Sequence, residues 1–342
     1  MSMQRVMTIV RLELTQRLRS VAWYVLLGVF AVVLIGVTAL SLMIFSGVDQ
    51  PGAGVYSVVV NIVLLLVVLI SPTLSGNAIN GDRENATLAA VQVTRATTGE
   101  IVFGKLLAAV VTGSAFLVVA IPFLIFAMLT GGVSPLTGFV SVLVLLAEIV
   151  VVAAIGVGFS GVLARGLFSV AATYLVVAAF VLGTLIVFGL GGVALRSEVT
   201  SQSRPYTESG PDCERWETYT HEVPRFDRVW WVLAANPFVV LADATPVEFS
   251  RDGYPVDLFG QIKLGVRAAQ QAPELETRWD DCETGWRVDQ NWETPQEIIE
   301  GSAPSWFVGL ALQGVVAGLL MFGAVRRTDT PAKRLPPGTR IA

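Results

Sequence analysis

The chain has 342 residues, of which 54% are hydrophobic and only 15% charged, with a formal net charge of −4. A soluble domain carries about a quarter charged residues, so this composition, with a mean hydropathy of +0.66, excludes an ordinary soluble enzyme. One histidine and two cysteines leave no constellation for a metal centre.

From the N-terminus, residues 3–21 form an amphipathic candidate with Met3, Val6, Met7, Val10, Leu14, Leu18 and Val21 on one helical face. Arg5, Thr8, Thr15, Gln16 and Arg19 lie opposite, while Ile9 and Leu12 break the pattern. A basic amphipathic helix beside a membrane span lies in the interface plane; a plain basic flank is the alternative. Uncharged stretches then run over Ser20–Val48, Gln50–Gly81, Leu106–Ala147, Gly166–Leu195 and Gly301–Val325. A helix needs roughly 20 apolar residues to cross a hydrocarbon core about 30 Å thick. The third stretch contains the breaker Gly131-Gly132-Val133-Ser134-Pro135, which makes it the start of a helical hairpin. Six spans are therefore expected near 22–45, 56–78, 105–130, 138–164, 167–195 and 304–325. Their length and uniform apolarity predict helices, not the alternating strands of a barrel. The first stretch is too long, and lacks the small-residue cleavage site, for a cleavable signal peptide.

Basic residues set the expected orientation. Arg5, Arg11, Arg17 and Arg19 precede the first span, and Arg326, Arg327, Lys333, Arg334 and Arg340 follow the last. Arg83, Arg95, Lys105 and Arg165 lie in the two loops predicted on that same side, whereas loops 46–55 and 131–137 have no Lys or Arg. Both termini are thus expected in the cytoplasm, and residues 196–304 outside. That segment holds 10 basic and 20 acidic residues. It also contains both cysteines, Cys213 and Cys282, and seven of the eight tryptophans lie between Trp216 and Trp306. Two cysteines on the oxidising side suggest one disulfide, free buried thiols being the alternative. Val229–Ala244 is too short, and too interrupted at Asn236-Pro237, to span; it is expected to dip into the outer interface or pack on the bundle. Residues 246–304 show no assignable fold, and the Pro-rich tail from Thr328 to Ala342 predicts no regular structure.

The predicted fold class is an all-α polytopic membrane protein. Residues 1–195 hold the interfacial helix and spans one to five, with a cytoplasmic loop over 79–104. An extracellular domain follows over 196–304, then span six over 305–325 and a tail over 326–342. Thr97 and Glu100 form a capping box opening span three. Asn85 to Val93 predicts a short loop helix suited either to a cytoplasmic contact or to a solvated connector.

Several motifs fail on context. Gly99 to Lys105 resembles a phosphate-binding loop, but Leu106 stands where Ser or Thr is required and no strand precedes it. Gly156, Gly158 and Gly161 spell a dinucleotide fingerprint inside an apolar span, where small residues instead let helices approach, as at Gly314 and Gly318. No catalytic arrangement stands out, and no enzymatic activity is expected of this chain. Glu148 is the only ionisable side chain deep in a predicted span. It marks either a transport pathway or a helix-packing hydrogen bond. Asn61 and Gln313 are expected to be packing contacts.

Three segments carry a resemblance to a family. The N-terminal VRLELTQRLRS resembles the interfacial elbow helix of ABC-2 type permeases, the membrane subunits of ATP-driven ABC exporters. The loop with Asp82-Arg83-Glu84, Thr87-Leu88, Thr94 and Glu100 to Lys105 resembles that family's coupling segment, in which Asp82, Arg83, Glu84, Thr87, Leu88 and Val91 would meet the ATPase. Asn236-Pro237-Phe238 is similar to a recurrent external motif. Ala86 and Arg95 depart from the family's frequent Gly and Pro. The resemblance implies a cell-membrane exporter of a drug, lipid, peptide or glycan. It also implies a second permease subunit, contact with membrane lipid and no nucleic acid. ATP and Mg would sit on a separate ATPase, with no cofactor on this chain. Two rival expectations are a non-transport anchor or scaffold for the outer domain, and a proton-coupled secondary transporter using Glu148.

Overall fold

A computed structural model of the chain describes residues 2–47, 50–85, 96–208, 210–282 and 293–329. Six helices are long and apolar enough to cross a membrane: Val21–Phe45, Pro51–Glu84, Thr98–Leu129, Pro135–Val162, Gly166–Ala194 and Trp306–Thr328. These are spans one to six. Spans two, three and six start or end several residues beyond the expected limits, because helix continues past the apolar stretch into polar residues such as Asn80–Glu84, Thr98–Glu100 and Arg326–Thr328.

Local signals explain the boundaries. The Thr97 hydroxyl accepts the Glu100 N–H while Glu100 reaches back to the Thr97 N–H at 2.9 Å, closing the expected capping box. Gly131 and Gly132 take φ of +94° and +79° between spans three and four, a region open to glycine. Ser134 then caps span four by accepting the Thr137 N–H at 3.1 Å, with Pro135 in the first turn.

The interior is built around spans two and four, the two whose apolar windows are most buried. Val55, Val59, Val63, Leu64 and Val67 of span two pack with Leu145, Ile149 and Val152 of span four and Phe116 of span three. The expected close approaches occur at Gly156, Gly158 and Gly161, where an added Cβ would overlap Ser75, Leu320 and Ala324. Gly314 and Gly318 differ from expectation, since both face open space. In span six it is Gly309 that lets another chain segment approach.

A helix α1 (Met3–Leu18) precedes span one. Val6 and Val10 are buried against Ala108 of span three, while Met3, Met7 and Leu18 of the same expected face are exposed. Ile9, which breaks the apolar stripe, meets the bare backbone of Gly104. The helix therefore lies against span three along a contact face rotated from the apolar one.

The segment between spans five and six is not all-α, which corrects the predicted class for that part. Strand β1 (Arg196–Ser203) pairs antiparallel with β2 (Glu217–Pro224) and parallel with β3 (Glu276–Trp279), in the order β2-β1-β3. Its register sets Val199 opposite His221. Cys213 and Cys282 are joined in a disulfide across 69 positions of sequence. The Arg204 and Arg278 guanidinium groups both lie over the Trp216 ring, 3.8 and 4.1 Å from its centroid. Peptide mapping without reductant is expected to recover Cys213 and Cys282 in one cross-linked pair; two free thiols in freshly purified protein would contradict it.

The rest of the segment folds onto the bundle. A 3-10 turn over Trp230–Ala235 leads into helix α2 (Pro237–Ala244), whose Val239, Val240, Leu241 and Ala242 are buried. Helix α3 (Leu258–Ala268) packs on α2 and is capped by Asp257, which accepts the Gly260 N–H at 2.7 Å. Burial pushes the Asp257 carboxyl up to about 6, against the opposing pull of that hydrogen bond and of Lys263. The Leu258 N–H donates to Ser57 of span two at 3.0 Å, docking the domain on the bundle. A short helix α4 (Pro295–Gly301) with its own capping box precedes span six.

Candidate functional site

The end of the bundle that carries α1 and the 80–105 region is held by a connected set of charged and polar side chains. Span two is interrupted by turn residues 76–79 and resumes as a helical turn over Asn80–Glu84. Every charged side chain in that turn points back into the chain. Asp82 pairs with Lys105 Nζ of span three at 2.7 Å. Arg83 donates to the backbone oxygens of Leu163 and Gly161 at 3.2 Å each, and to Thr328 Oγ1 of span six at 3.3 Å. Glu84 accepts the Gly166 N–H, the first residue of span five, at 3.1 Å. A carboxylate suits that position, where free N–H groups and the helix dipole meet it.

Asn80 extends the set. Its side chain donates to Ser169 of span five at 2.8 Å, and Ser160 of span four accepts the N–H groups of both Ile79 and Asn80. One short segment therefore bonds to spans three, four, five and six. Such a segment moves several helices when it is displaced.

Helix α1 joins the set through span three. Lys105 is buried and pairs with Glu13 of α1 as well as Asp82. Glu100 accepts the Ser2 N–H at 2.5 Å and pairs with Arg5 at 3.5 Å. Arg17 donates to the Leu74 carbonyl at 2.9 Å. Burial pulls the Arg17 guanidinium below its ordinary value, with Glu13 offsetting part of that cost. At the far side, Thr98 Oγ1 donates to Asp329 at 3.3 Å, drawing in the end of span six.

Of the expected coupling residues, Asp82, Arg83 and Glu84 thus lie in this set, with their charges used inside the chain. Thr87, Leu88 and Val91, and the expected loop helix beyond Asn85, lie outside the described residues. Sequence reasoning passed over Glu13, Ser160 and Ser169, and held Glu100 and Lys105 only as part of the segment resembling a coupling loop, without their partners. Lys105 carried the one available signal, a lysine among apolar residues in a chain with 3 lysines and 20 arginines.

A second set lies within the spans. Glu148 of span four is 1% exposed, and neither carboxyl oxygen has a hydrogen-bond partner. Gln313 of span six stands beside it and donates its Nε2 to the Ala235 carbonyl at 3.0 Å, leaving its Oε1 without a donor. Asn61 donates within its own helix to the Ser57 carbonyl, so it is not the interhelical contact expected.

Ala235 belongs to the segment that sequence reasoning expected to dip or pack, and it does enter the bundle. Asn236 is buried and satisfies its whole side chain there. Its Nδ2 donates to the Val181 carbonyl at 2.9 Å and to Thr184 at 3.0 Å, and its Oδ1 accepts the Phe238 N–H. Val181 lies in a π turn, Ala179–Gly183, whose wider helical winding presents that carbonyl sideways. Thr184 is ten residues from the Ala194 end of its helix, about 15 Å at the α-helical rise. Gly309 of span six admits the Ala234 carbonyl, which any Cβ there would overlap.

Compared with known proteins, the chain matches no family model and no curated protein. Among the described residues no group of histidine, cysteine and carboxylate side chains is placed to hold a metal ion.

Proposed function

We propose that this chain is the membrane-spanning permease subunit of an ATP-driven exporter of the ABC-2 type, working with a separate ATPase and a second permease subunit. The observation that carries the reading is the attachment of the Asn80–Glu84 turn to four spans at once through Asp82, Arg83, Glu84 and Asn80. A push on the cytoplasmic loop that follows this turn reaches the bundle through side-chain bonds. Helix α1, fastened to the same lysine, moves with it. In this reading the charges of the turn transmit force, and Leu88 and Val91 of the following loop supply the apolar contact with the ATPase. Substrate passes on the face governed by Glu148 and the inserted Asn236 segment. The ends bearing Arg5 and Arg326 are cytoplasmic, and residues 196–304 face outside the cell.

The test is Leu88→Ala, measured by co-purification of the ATPase and by substrate-stimulated hydrolysis in reconstituted membranes. Removing one apolar anchor is expected to weaken the ATPase complex about tenfold or more, with expression and thermal unfolding of the chain unchanged. Undiminished assembly and coupling in this variant and in Val91→Ala would remove the proposed contact.

A further inference from the structure

Strand β2 is an edge strand. It pairs with β1 on one side, and among the described residues no strand pairs with it on the other. The orientation of its main chain follows from β1. The Thr200 N–H points away from β2, donating to the Leu275 carbonyl at 2.9 Å. In an antiparallel ladder, two opposite residues turn their main-chain groups either toward each other or both away. Thr220 stands opposite Thr200, so its N–H and C=O point to the free edge, and alternation turns those of Thr218 and Glu222 the same way. Every residue from Glu217 to Glu222 is exposed. Lysines, bulges and prolines blunt such edges in many sheets. Strand β2 has no lysine, its register is continuous, and its one proline is its last residue.

Charge selects the partner. Glu198 of β1 and Glu222 are direct cross-strand partners, and like charges so placed repel. Arg196 meets Glu222 at 3.2 Å, but both side chains are more than half exposed, where an ion pair contributes little. Glu198 is exposed and has no ion-pair partner among the described residues. Residues 196–304 as a whole carry 20 acidic side chains against 10 basic. On the other face of β2, Tyr219 and His221 stack with ring centroids 6.0 Å apart, a flat surface for alternate side chains of a neighbouring strand.

We propose that the free edge of β2 takes an extended basic polypeptide as an added antiparallel strand, with a lysine or arginine beside Glu222. The N–H and C=O groups of Thr218, Thr220 and Glu222 bond its main chain, as in other cases of strand addition. Its cation relieves the repulsion between Glu198 and Glu222. The inference goes beyond the export reading and does not rest on it.

The test is fluorescence anisotropy of the full chain in phosphatidylcholine nanodiscs, one chain per disc. The probe is a dye-labelled eight-residue peptide with lysine and threonine on one face and valine on the other. Saturable binding is expected. It should weaken about tenfold or more when alternate peptide nitrogens are methylated, which removes backbone hydrogen bonds and keeps the charge. Glu222→Lys should weaken binding of the lysine peptide and admit a glutamate counterpart. Thr220→Pro deletes an edge donor that β1 does not use, so the sheet should survive while peptide binding is lost. Equal binding of the methylated and unmethylated peptides, an unchanged affinity in Glu222→Lys, or no saturable binding overturns the proposal. Dimerisation in detergent that Thr220→Pro abolishes, without peptide binding in single-chain discs, assigns the edge to a second copy of the chain and also overturns it. Should Thr220→Pro fail to fold, the methylated peptide on the wild type still decides.

Discussion

Replacing Asp243 by alanine is expected to destabilise the docked segment between spans five and six by about 3–5 kcal/mol, the range seen when one partner of a buried ion pair is removed. The Asp243 side chain is wholly buried and pairs with Arg267 of α3 at 2.8 Å. Its other oxygen accepts the N–H groups of Ser305 and Trp306 at 2.6 and 3.0 Å, and the Ser305 hydroxyl at 3.1 Å. One carboxylate therefore holds α2, α3 and the first turn of span six together. Alanine leaves the Arg267 charge buried with only Ser302 as a polar partner, and leaves the start of span six uncapped. The thermal midpoint in nanodiscs should fall sharply, and amide exchange should rise first over residues 305–309. The double variant Asp243→Leu with Arg267→Met should recover much of the loss, because no unpaired charge remains. A double variant as unstable as the single one would mean that the caps on span six, not the ion pair, dominate.

The two ends of the bundle are thus fastened by the same physical device, a buried charge shared among elements far apart in sequence. Between them lie Glu148 and Gln313, the latter tied to the segment between spans five and six through the Ala235 carbonyl. The Asn80–Glu84 turn is bonded to spans four and six, which carry that pair. Gln313 is a point where span six meets the inserted segment.

What was legible in the sequence follows from distance along the chain. The spans, the Thr97–Glu100 capping box, the Gly131-Gly132 break and the glycines of span four each write their reason within a few residues. The attachment of α1 does not. Ile9 disrupts an apolar stripe when α1 is considered alone, and becomes sensible only against Gly104, on another helix. Glu13, Asp82 and Lys105 belong to three segments, with 92 positions separating the lysine from Glu13. The β-sheet was hidden for a different reason. Val199 and Ser201 are the buried positions of β1, so the strand lacks the run of alternating apolar residues that announces a half-buried sheet. Helix α3 was masked by its own chemistry, since Lys263 and Arg267 sit on its buried face with Phe259 and Val266. Lys263 is accommodated by donating to the Thr245 carbonyl at 2.8 Å, and Arg267 by Asp243. Charges that are paired only through tertiary contact look, in sequence, like a solvated face.

Replacing Lys105 by methionine is expected to separate α1 and the Asn80–Glu84 turn from span three while leaving the spans inserted. Methionine keeps most of the side-chain volume and its apolar stem, so the loss is electrostatic. Lys105 is 3% exposed and sits between Glu13 and Asp82, whose side chains are 13% and 28% exposed. Removing the cation leaves two carboxylates facing one another with partial access to water, which places the cost near the low end for a broken buried pair, roughly 3 kcal/mol. Restoring one neutral partner separates the contributions. Lys105→Met with Glu13→Gln should regain stability by relieving the repulsion, yet it cannot rebuild the bridge from α1 to the turn. Protease cleavage within residues 2–20 of the reconstituted chain is therefore expected to increase in both variants, and the thermal midpoint to recover only in the double one. If the bridge transmits motion, ATPase binding persists in both while substrate-stimulated hydrolysis falls toward its basal rate. Full stimulation in the double variant, with α1 demonstrably loosened, would show that α1 is an anchor and that the turn alone couples the loop to the bundle through Arg83 and Glu84.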